Sequence, residues 1–147
     1  MESESSIGRM LNRVRAELVE ALDRELAPFE ITSAQFVILG SLVSGDADSA
    51  SALCKEISYD PGAMTRMIDR LELKGLIRRL PHADDRRRMN LELTPKGKAV
   101  YPKLRASAVT VQNRFLRGFT KIEARQLEGF LQRMIASASQ SRYETEE

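Results

Sequence analysis

The chain has 147 residues and a net charge of +2, and its 42% hydrophobic and 30% charged residues are those of one globular domain rather than a disordered chain. No apolar run approaches the roughly 20 residues of a membrane span, and the first residues lack the basic and apolar regions of a signal peptide, so we expect a cytoplasmic protein. One cysteine, Cys54, and one histidine, His82, exclude an internal disulfide and argue against a zinc site, so we expect no metal and no cofactor.

The first third of the chain predicts two helices. Apolar residues recur every three or four positions over residues 7–26, which predicts one helix that stops at Pro28. Thr32 and Gln35 have the form of a capping box, and they open a second helix that should end near Gly45. The predicted inner faces are Ile7, Leu11, Val14, Leu18, Leu22 and Leu26 in the first helix and Phe36, Leu39, Leu42 and Val43 in the second.

Two shorter helices follow. A third helix is predicted over about residues 49–57, and the segment 58–61 breaks it. Asp60 as N-cap, with Pro61 at the first helical position, then begins a fourth helix, for which Gly75 is the natural stop. The inward residues of the third helix are Leu53, Cys54 and Ile57.

Beyond Gly75 the pattern changes to the alternation that is typical of short strands. Two such strands are separated by residues 81–88, which contain three consecutive arginines. This arrangement predicts a β-hairpin with a long, polar and strongly basic tip. The apolar residues of the strands are Leu76, Ile77 and Leu80 in the first and Met89, Leu91 and Leu93 in the second.

The last third of the chain predicts two long helices. Thr94 and Pro95 form an N-cap and first-turn pair that opens a fifth helix, which Pro102 should kink or cut in two. Thr120 and Glu123 form a second capping box at the start of a sixth helix. The predicted inner residues are Val100, Leu104, Val111, Phe115 and Phe119, then Ile122, Leu127, Phe130, Leu131, Met134 and Ile135.

Charge is unevenly distributed along the chain. Lys and Arg outnumber Asp and Glu by 13 to 7 over residues 55–105, whereas they are outnumbered 4 to 9 over residues 1–54. A basic block fits a surface that contacts phosphate groups, although a merely solvated basic face has the same composition.

The order helix, turn, helix, strand, basic hairpin, strand is that of a winged helix-turn-helix, and the fourth helix takes the place of its recognition helix. Gly62 would let that helix approach the base edges, where Arg66 can reach guanine and Thr65 a phosphate or a thymine methyl. Alternatively, Arg66 and Arg70 are plain solvent-facing charges. Because a free carboxylate would repel phosphate, Asp69 is predicted to orient one of these arginines instead. The predicted inward set is Met64, Met67, Ile68 and Leu71.

The predicted wing tip carries Arg86, Arg87 and Arg88. Three adjacent arginines on a projecting loop repel one another unless an anionic partner is present, and a narrow minor groove is such a partner. Asp85 can hold one guanidinium across the turn, or it can close the turn as an Asx motif, and the two roles are compatible.

The segment Asp60–Gly97 resembles the DNA-binding core of the MarR (multiple antibiotic resistance regulator) family. Two pieces match the family's pattern, a recognition segment and the wing signature Asp85-x-Arg87. The recognition segment contains Thr65, Arg66, Asp69, Arg70, Leu71 and Gly75, and the wing signature continues with Leu93, Thr94 and Gly97.

The resemblance implies a mainly α fold with a small hairpin wing and an obligate, intertwined homodimer of single-domain chains. Helices within residues 1–30 and 95–140 would form the dimerisation lobe, and residues 32–94 the winged DNA-binding lobe. It also implies that Arg66 reads the major groove and Arg87 enters the minor groove. The function implied is a ligand-responsive regulator, a repressor that leaves a pseudo-palindromic operator when a small effector binds.

The effector site is only weakly indicated. Many family members bind small aromatic or phenolic anions between the two lobes, and Arg15 at the edge of the first apolar stripe and Tyr101 are candidates for its walls. An edge arginine is more often a snorkelling side chain and a helix tyrosine more often core. Some relatives sense peroxides through a cysteine in the first helix, whereas Cys54 is predicted to be a small buried side chain of the third.

Three other functions are alternatives to a ligand-responsive regulator. An enzyme is disfavoured because the sequence has no nucleophile motif and no phosphate loop. A winged-helix scaffold for protein interactions would predict an uncharged wing and recognition face. A redox-sensing regulator acting through Cys54 stays an alternative.

Overall fold

A computed structural model describes residues 2–57, 60–85 and 87–144, with side chains over 6–57, 60–85 and 87–141. It confirms the predicted fold class, mainly α with a two-stranded antiparallel hairpin. The elements are α1 (Glu2–Leu26), a 3-10 turn (Ala27–Phe29), α2 (Ser33–Ser44), α3 (Ala50–Ile57), α4 (Pro61–Leu73), β1 (Ile77–Pro81), β2 (Met89–Leu93), α5 (Pro95–Phe115) and α6 (Lys121–Glu144).

The chain divides into two compact units, Met1–Val111 and Gln112–Glu147. The first contains α1 to α4, the hairpin and most of α5, and it encloses the apolar core. The second contains the end of α5 and all of α6. The fully buried large side chains all belong to the first unit and are Leu26, Ile38, Leu39, Leu53, Met64, Ile68, Leu71, Ile77 and Leu104.

The helix ends follow the predicted local signals. The Thr32 hydroxyl accepts the Gln35 backbone N–H, and the Gln35 side chain returns a bond to the Thr32 N–H, which completes the capping box. Asp60 caps α4 by accepting the Ala63 N–H at 3.1 Å. Gly75 has a φ of +73°, the left-handed conformation that ends a helix at little cost for glycine. These predictions are confirmed, whereas the predicted break at Ser58 and Tyr59 lies outside the described residues.

The hairpin packs on the core through one face. Ile77 stands opposite Leu93, and Arg79 stands opposite Leu91. Ile77, Leu91 and Leu93 are buried, so this face is the inner one. The Leu91 N–H also donates to the carbonyl of Asp48 at 2.6 Å, which ties β2 to the segment before α3.

Lys74, directly after α4, holds the end of that helix against the start of α2. Its ammonium donates to the backbone carbonyl of Glu30 and, at 3.3 Å, to the side-chain oxygen of Gln35. Gln35 is buried, and its oxygen also serves the capping box of α2. One buried acceptor therefore joins α2 to the C-terminal end of α4.

Two helix predictions turn out differently in detail. Pro102 does not cut α5, which continues from Pro95 to Phe115 with Pro102 inside it, so of the two predicted effects only a kink stays open. Val43, predicted to face inward, is 50% exposed, whereas Ile38, which was not predicted, is buried beside the predicted Leu39.

Much of the predicted inner surface of the long helices is exposed in the single chain. In α1, Leu26 is buried and Leu22 is half-buried, but Ile7, Leu11 and Val14 are exposed. In α6 every predicted inner residue is exposed, including Ile122, for which the exposed fraction reaches 68%. Phe115 and Phe119 are exposed too, and Phe119 lies past the end of α5.

Candidate nucleic-acid interface

The two faces of α4 separate as the sequence predicts. Met64, Ile68 and Leu71 are buried in the core, and Met67 is half-buried against it. The opposite face is exposed to solvent and carries Gly62, Thr65, Arg66, Asp69 and Arg70.

Gly62 and Arg66 are neighbours at the N-terminal end of this exposed face. A Cβ on Gly62 would lie 3.6 Å from Nη1 of Arg66 and 3.1 Å from a carboxylate oxygen of Asp60. The guanidinium of Arg66 therefore extends back over the first turn of α4, and a larger side chain at position 62 would crowd it. No carboxylate in the described part of the chain forms an ion pair with Arg66 or Arg70.

Thr65 uses its hydroxyl proton within the helix. Its Oγ1 donates to the backbone carbonyl of Pro61 at 3.0 Å, a common bond for a threonine one turn into a helix. The hydroxyl of the exposed side chain keeps an acceptor lone pair but has no free proton for a phosphate oxygen. Of the two predicted contacts of Thr65, this geometry favours the one through its methyl group.

Asp69 has a different partner from the predicted one. Its Oδ1 accepts from Nη2 of Arg79 in β1 at 2.5 Å, and Glu72 accepts from Nη1 of the same guanidinium at 3.2 Å. The prediction that Asp69 has an internal arginine partner is confirmed, but the assignment to Arg66 or Arg70 is wrong. The hydrogen bond to Asp69, ahead of the charge of Glu72, raises the pKa of Arg79 above its ordinary value.

The wing tip is closed by a set of short-range hydrogen bonds. The Arg87 N–H donates to the Asp85 carboxylate at 2.9 Å, and the Arg88 N–H donates to the Asp85 carbonyl at 3.1 Å. The predicted Asx turn is therefore confirmed, whereas in the described part of the tip Asp85 forms no ion pair with Arg87 or Arg88. Both arginines are exposed, and Arg86 lies outside the described residues.

His82 completes the base of this tip. The backbone N–H of His82 donates to the Arg88 carbonyl, and Nδ1 of its imidazole ring accepts the backbone N–H of Asp84, each at 3.1 Å. His82 is half-buried, and its imidazole ring takes part in the turn rather than pointing freely into solvent.

The two candidate effector residues are placed differently. Tyr101 lies on α5 and is half-buried against α2. Its ring stacks on that of Phe36, with the centroids 5.7 Å apart. Its hydroxyl lies 3.2 Å from the position that a Cβ on Gly40 would take. Arg15 is exposed on α1. No hydrogen bond joins these two side chains. Cys54 is half-buried against the core.

The described residues contain no candidate metal site and no single membrane-spanning helix. Within ranges 2–57, 60–85 and 87–144, no three His, Cys, Asp or Glu side chains come together as a candidate metal site. No single helix there has the length and hydropathy for crossing a bilayer; by those two criteria alone, the bent pair 6–29 and 33–44 passes.

Sequence reasoning missed Arg79. A signal for it exists, because side chains alternate along a strand and Arg79 is two residues after the buried Ile77. An arginine on the inner face of a hairpin requires an acidic partner nearby, and Asp69 and Glu72 provide it. No comparable signal points to Lys74, since its partners are 39 and 44 residues away.

Comparison with known proteins identifies the family. The MarR family model matches residues 31–89, which run from just before α2 to the first residue of β2. The multiple antibiotic resistance protein MarR of Salmonella typhimurium is 39% identical over 94 residues, 64% of this chain and 65% of that protein. The structure of a mutant MarR from E. coli complexed with operator DNA superposes with a TM-score of 0.79 at 32% identity, covering 88% of this chain and 93% of that one. The chain belongs to the MarR family.

Membership in the MarR family confirms the resemblance noted over residues 60–97 and the winged helix-turn-helix assignment made from the order of helices and strands. Alignment with the Salmonella MarR spans just under two thirds of that protein. A further relative, the HTH-type transcriptional repressor MdtR of Bacillus subtilis, is 29% identical over 118 residues, 80% of this chain and 74% of that one. MdtR is named a transcriptional repressor, and this chain belongs to the MarR family.

Proposed function

We propose that this MarR-family chain is a repressor that binds a pseudo-palindromic operator as a homodimer and leaves it when a small effector binds. The observation that carries the proposal is the pair of cationic elements on the winged lobe. The recognition helix α4 presents Arg66 beside Gly62, and the hairpin presents Arg87 on a tip closed by Asp85. Membership in the MarR family supports DNA as the common partner of these two cationic elements.

Each DNA-contacting residue has a proposed role. Arg66 donates two hydrogen bonds to O6 and N7 of a guanine, and the absence of a side chain at Gly62 lets the helix approach that base. Thr65 contacts a thymine methyl, and Arg70, one turn farther along, contacts a phosphate. Arg87 enters a narrow minor groove, and Arg86 and Arg88, its neighbours in the sequence, add positive charge there.

The repressor role rests on relatives. The MdtR relative of Bacillus subtilis is named a transcriptional repressor, and the mutant MarR of E. coli was solved with operator DNA. The same activity in this chain places it in the compartment that holds the chromosome, which is the cytoplasm in a bacterium.

The homodimer is supported by apolar surface that the single chain leaves exposed. A stripe of this kind runs along α1, and a second one follows α6. Exposed apolar surface of this extent is a common mark of a protein interface. We assign residues 1–30 and 95–140 to the dimerisation lobe and residues 32–94 to the winged lobe. The exposed residues include Ile7, Met10, Leu11 and Val14 in α1 and Ile122, Phe130, Met134 and Ile135 in α6.

The proposed effector is a small aromatic or phenolic anion. Arg15 supports this choice because its guanidinium is exposed on α1 and can meet a carboxylate or phenolate. Tyr101 contributes less, since its ring already packs on Phe36. Arg15→Ala should weaken the release of DNA by such anions and leave DNA binding alone unchanged, whereas Arg13→Ala, in the same helix, serves as the matched control.

The experiment that tests the proposal is a selection of DNA by the purified protein from a randomised library, combined with sedimentation. We expect one species of twice the chain mass. The enriched DNA should contain an inverted repeat with half-site centres about 34 Å apart, one turn of duplex. A monomer that enriches no repeat would overturn the proposal.

The scaffold alternative is less well supported. A protein-interaction surface would not need Arg66, Arg70 and Arg87 exposed on one lobe without paired carboxylates in the described residues. Redox sensing through Cys54 is disfavoured because the thiol is half-buried against the core rather than exposed.

A further inference from the structure

A three-residue ion-pair cluster joins the recognition helix to the wing. Arg79 lies on β1, and its guanidinium contacts Asp69 at 2.5 Å and Glu72 at 3.2 Å. The two carboxylates are three residues apart, so they lie on one side of α4. Each bonds a different nitrogen of the guanidinium, Nη2 and Nη1, which fixes the direction of the Arg79 side chain as well as its distance.

The cluster covers much of the Arg79 side chain from solvent. Its side chain is only 27% exposed, compared with 57% for Arg78. The guanidinium in turn offsets the charge of two carboxylates that would otherwise repel phosphate. Arg79 thus counts toward the basic charge of residues 55–105, but its guanidinium pairs with two carboxylates of α4.

Backbone hydrogen bonds hold the base of the hairpin, from the Leu91 N–H to the Asp48 carbonyl and from the Thr94 N–H to the Leu76 carbonyl, but they do not reach the middle of α4. A two-stranded hairpin is marginally stable by itself in water and depends on what it packs against. Its inner face offers only Ile77, Leu91 and Leu93 to the core, and its tip projects with exposed side chains. Among the described ion pairs, those made by Arg79 are the ones that connect the hairpin to α4.

We propose that Arg79 is a positioning residue that holds the wing in a fixed place relative to the recognition helix, so that both read DNA in one register. The inference rests on the proposed function, in which α4 reads the major groove and the wing the minor groove. Loss of the cluster leaves both elements folded but lets the tip move against α4.

The neighbouring pair Arg78–Glu92 is a matched control. Arg78 precedes Arg79 on the same strand but points to the opposite face, where it pairs with Glu92 of β2. This pair joins the two strands of the wing to each other and does not involve α4. Arg78→Gln removes the same charge as Arg79→Gln without touching the helix.

The first measurement needs no DNA. With Cys54 replaced by Ser, spin labels at Leu73→Cys, at the exposed end of α4, and Asp84→Cys, at the wing tip, report the distribution of distances between the two elements. We expect Arg79→Gln to broaden this distribution and Arg78→Gln to leave it unchanged. Arg79→Lys, which keeps the charge but loses the fork of donors, should be intermediate. Thermal unfolding of each variant identifies any that fails to fold.

The second measurement uses DNA. Affinity is compared for duplexes that share a core half-site but differ in A·T or G·C flanks. In Arg79→Gln the preference for A·T flanks should fall about two- to fivefold, the range that a partly exposed ion pair contributes, while the preference within the core stays the same. Arg78→Gln should keep the flank preference even if all affinities fall together. Asp69→Asn should reproduce the effect of Arg79→Gln, and the two changes combined should add little.

The outcomes separate the two proposals. An unchanged distance distribution in Arg79→Gln overturns the positioning role whatever the DNA result. A broadened distribution with an unchanged flank preference shows that the cluster holds the wing without affecting readout, and it overturns the inference as stated. If the unmodified protein itself has no flank preference, the proposed minor-groove role of the wing fails, and a broadened distribution would still support the structural part of the inference.

Discussion

Gly97 lies against the backbone of Leu76 so closely that a Cβ on it would be 2.1 Å from the Leu76 carbonyl oxygen. The Thr94 N–H donates to that same oxygen at 3.0 Å, and the Thr94 hydroxyl accepts the Gly97 N–H at 3.0 Å. The start of α5 is therefore pressed onto the short turn that leads from the recognition helix into the wing. Only a residue without a side chain fits at position 97.

Gly97→Ala should destabilise the first unit by about 1–3 kcal/mol, the usual cost of adding a methyl group where there is no room. The added carbon meets backbone, which cannot rotate away as a side chain can. Chemical unfolding of the two proteins gives the difference. Gly129→Ala is the control, since a Cβ there meets nothing within 4 Å and alanine favours a helix. Equal stability of Gly97→Ala and the parent protein would contradict this contact.

Arg66→Ala should weaken operator binding by about 1–3 kcal/mol and relax the preference at one base in each half-site. The reason is that two hydrogen bonds to a guanine distinguish it from the other bases. Selection of DNA by the variant measures both effects. Arg70→Ala, one turn along the same face, should weaken binding to all sequences alike. An equal loss on every sequence for both variants would mean that both arginines contact only phosphates.

Arg87→Ala should weaken binding most on duplexes with A·T-rich flanks. The minor groove is narrow there and its negative potential is large, so a guanidinium in it contributes most. Titration of duplexes with graded flank composition measures the dependence. Arg88→Ala, also exposed on the tip, should lower affinity with little regard to flank composition. The assignment would be wrong if Arg88→Ala, and not Arg87→Ala, removed the flank preference.

The start of α6 should depend on the ionisation of Glu123. Hydrogen bonds from the Thr120 backbone N–H and then from the Thr120 side chain lower the pKa of this carboxyl below its ordinary 4.5. A lowered folded-state pKa means that the contribution is present above about pH 4.5 and is lost as the pH falls through the folded value. Glu123→Gln keeps an acceptor for the capping box but removes the charge.

Glu123→Gln should therefore be less stable than the parent protein at neutral pH, and the difference should disappear in acid. Thermal unfolding followed by circular dichroism between pH 3 and pH 7 measures it. Glu128→Gln, about two turns into α6, controls for the loss of a negative charge on the same helix away from its first turn. A difference that is the same at all pH values would contradict the role of the ionised carboxyl.

Much of the fold was predictable because its signals are local. The capping boxes at Thr32 and Thr120 and the N-cap at Asp60 each involve residues within one turn. The same holds for the two faces of α4, because the helical period alone decides which side chains share a side. Resemblance over residues 60–97 then indicated the family, and the outer face of α4 contained the candidate residues Arg66 and Arg70.

The rest depended on how the elements are placed in space. Asp69 and Arg79 are ten residues apart and meet only because the turn after α4 folds β1 back beside the helix. The sequence does not show that Asp69 pairs with Arg79 rather than with Arg66 or Arg70. All three arginines are within ten residues of Asp69, and only the folded chain decides which one is close to it. Likewise, periodicity shows that Ile122 and Ile135 share an apolar stripe, but not whether their own chain covers it. The sequence by itself determined the helices, their ends and the family, because those follow from neighbours along the chain; only the tertiary structure decided which charges pair and which apolar faces stay exposed, because burial and ion pairing depend on distances between elements.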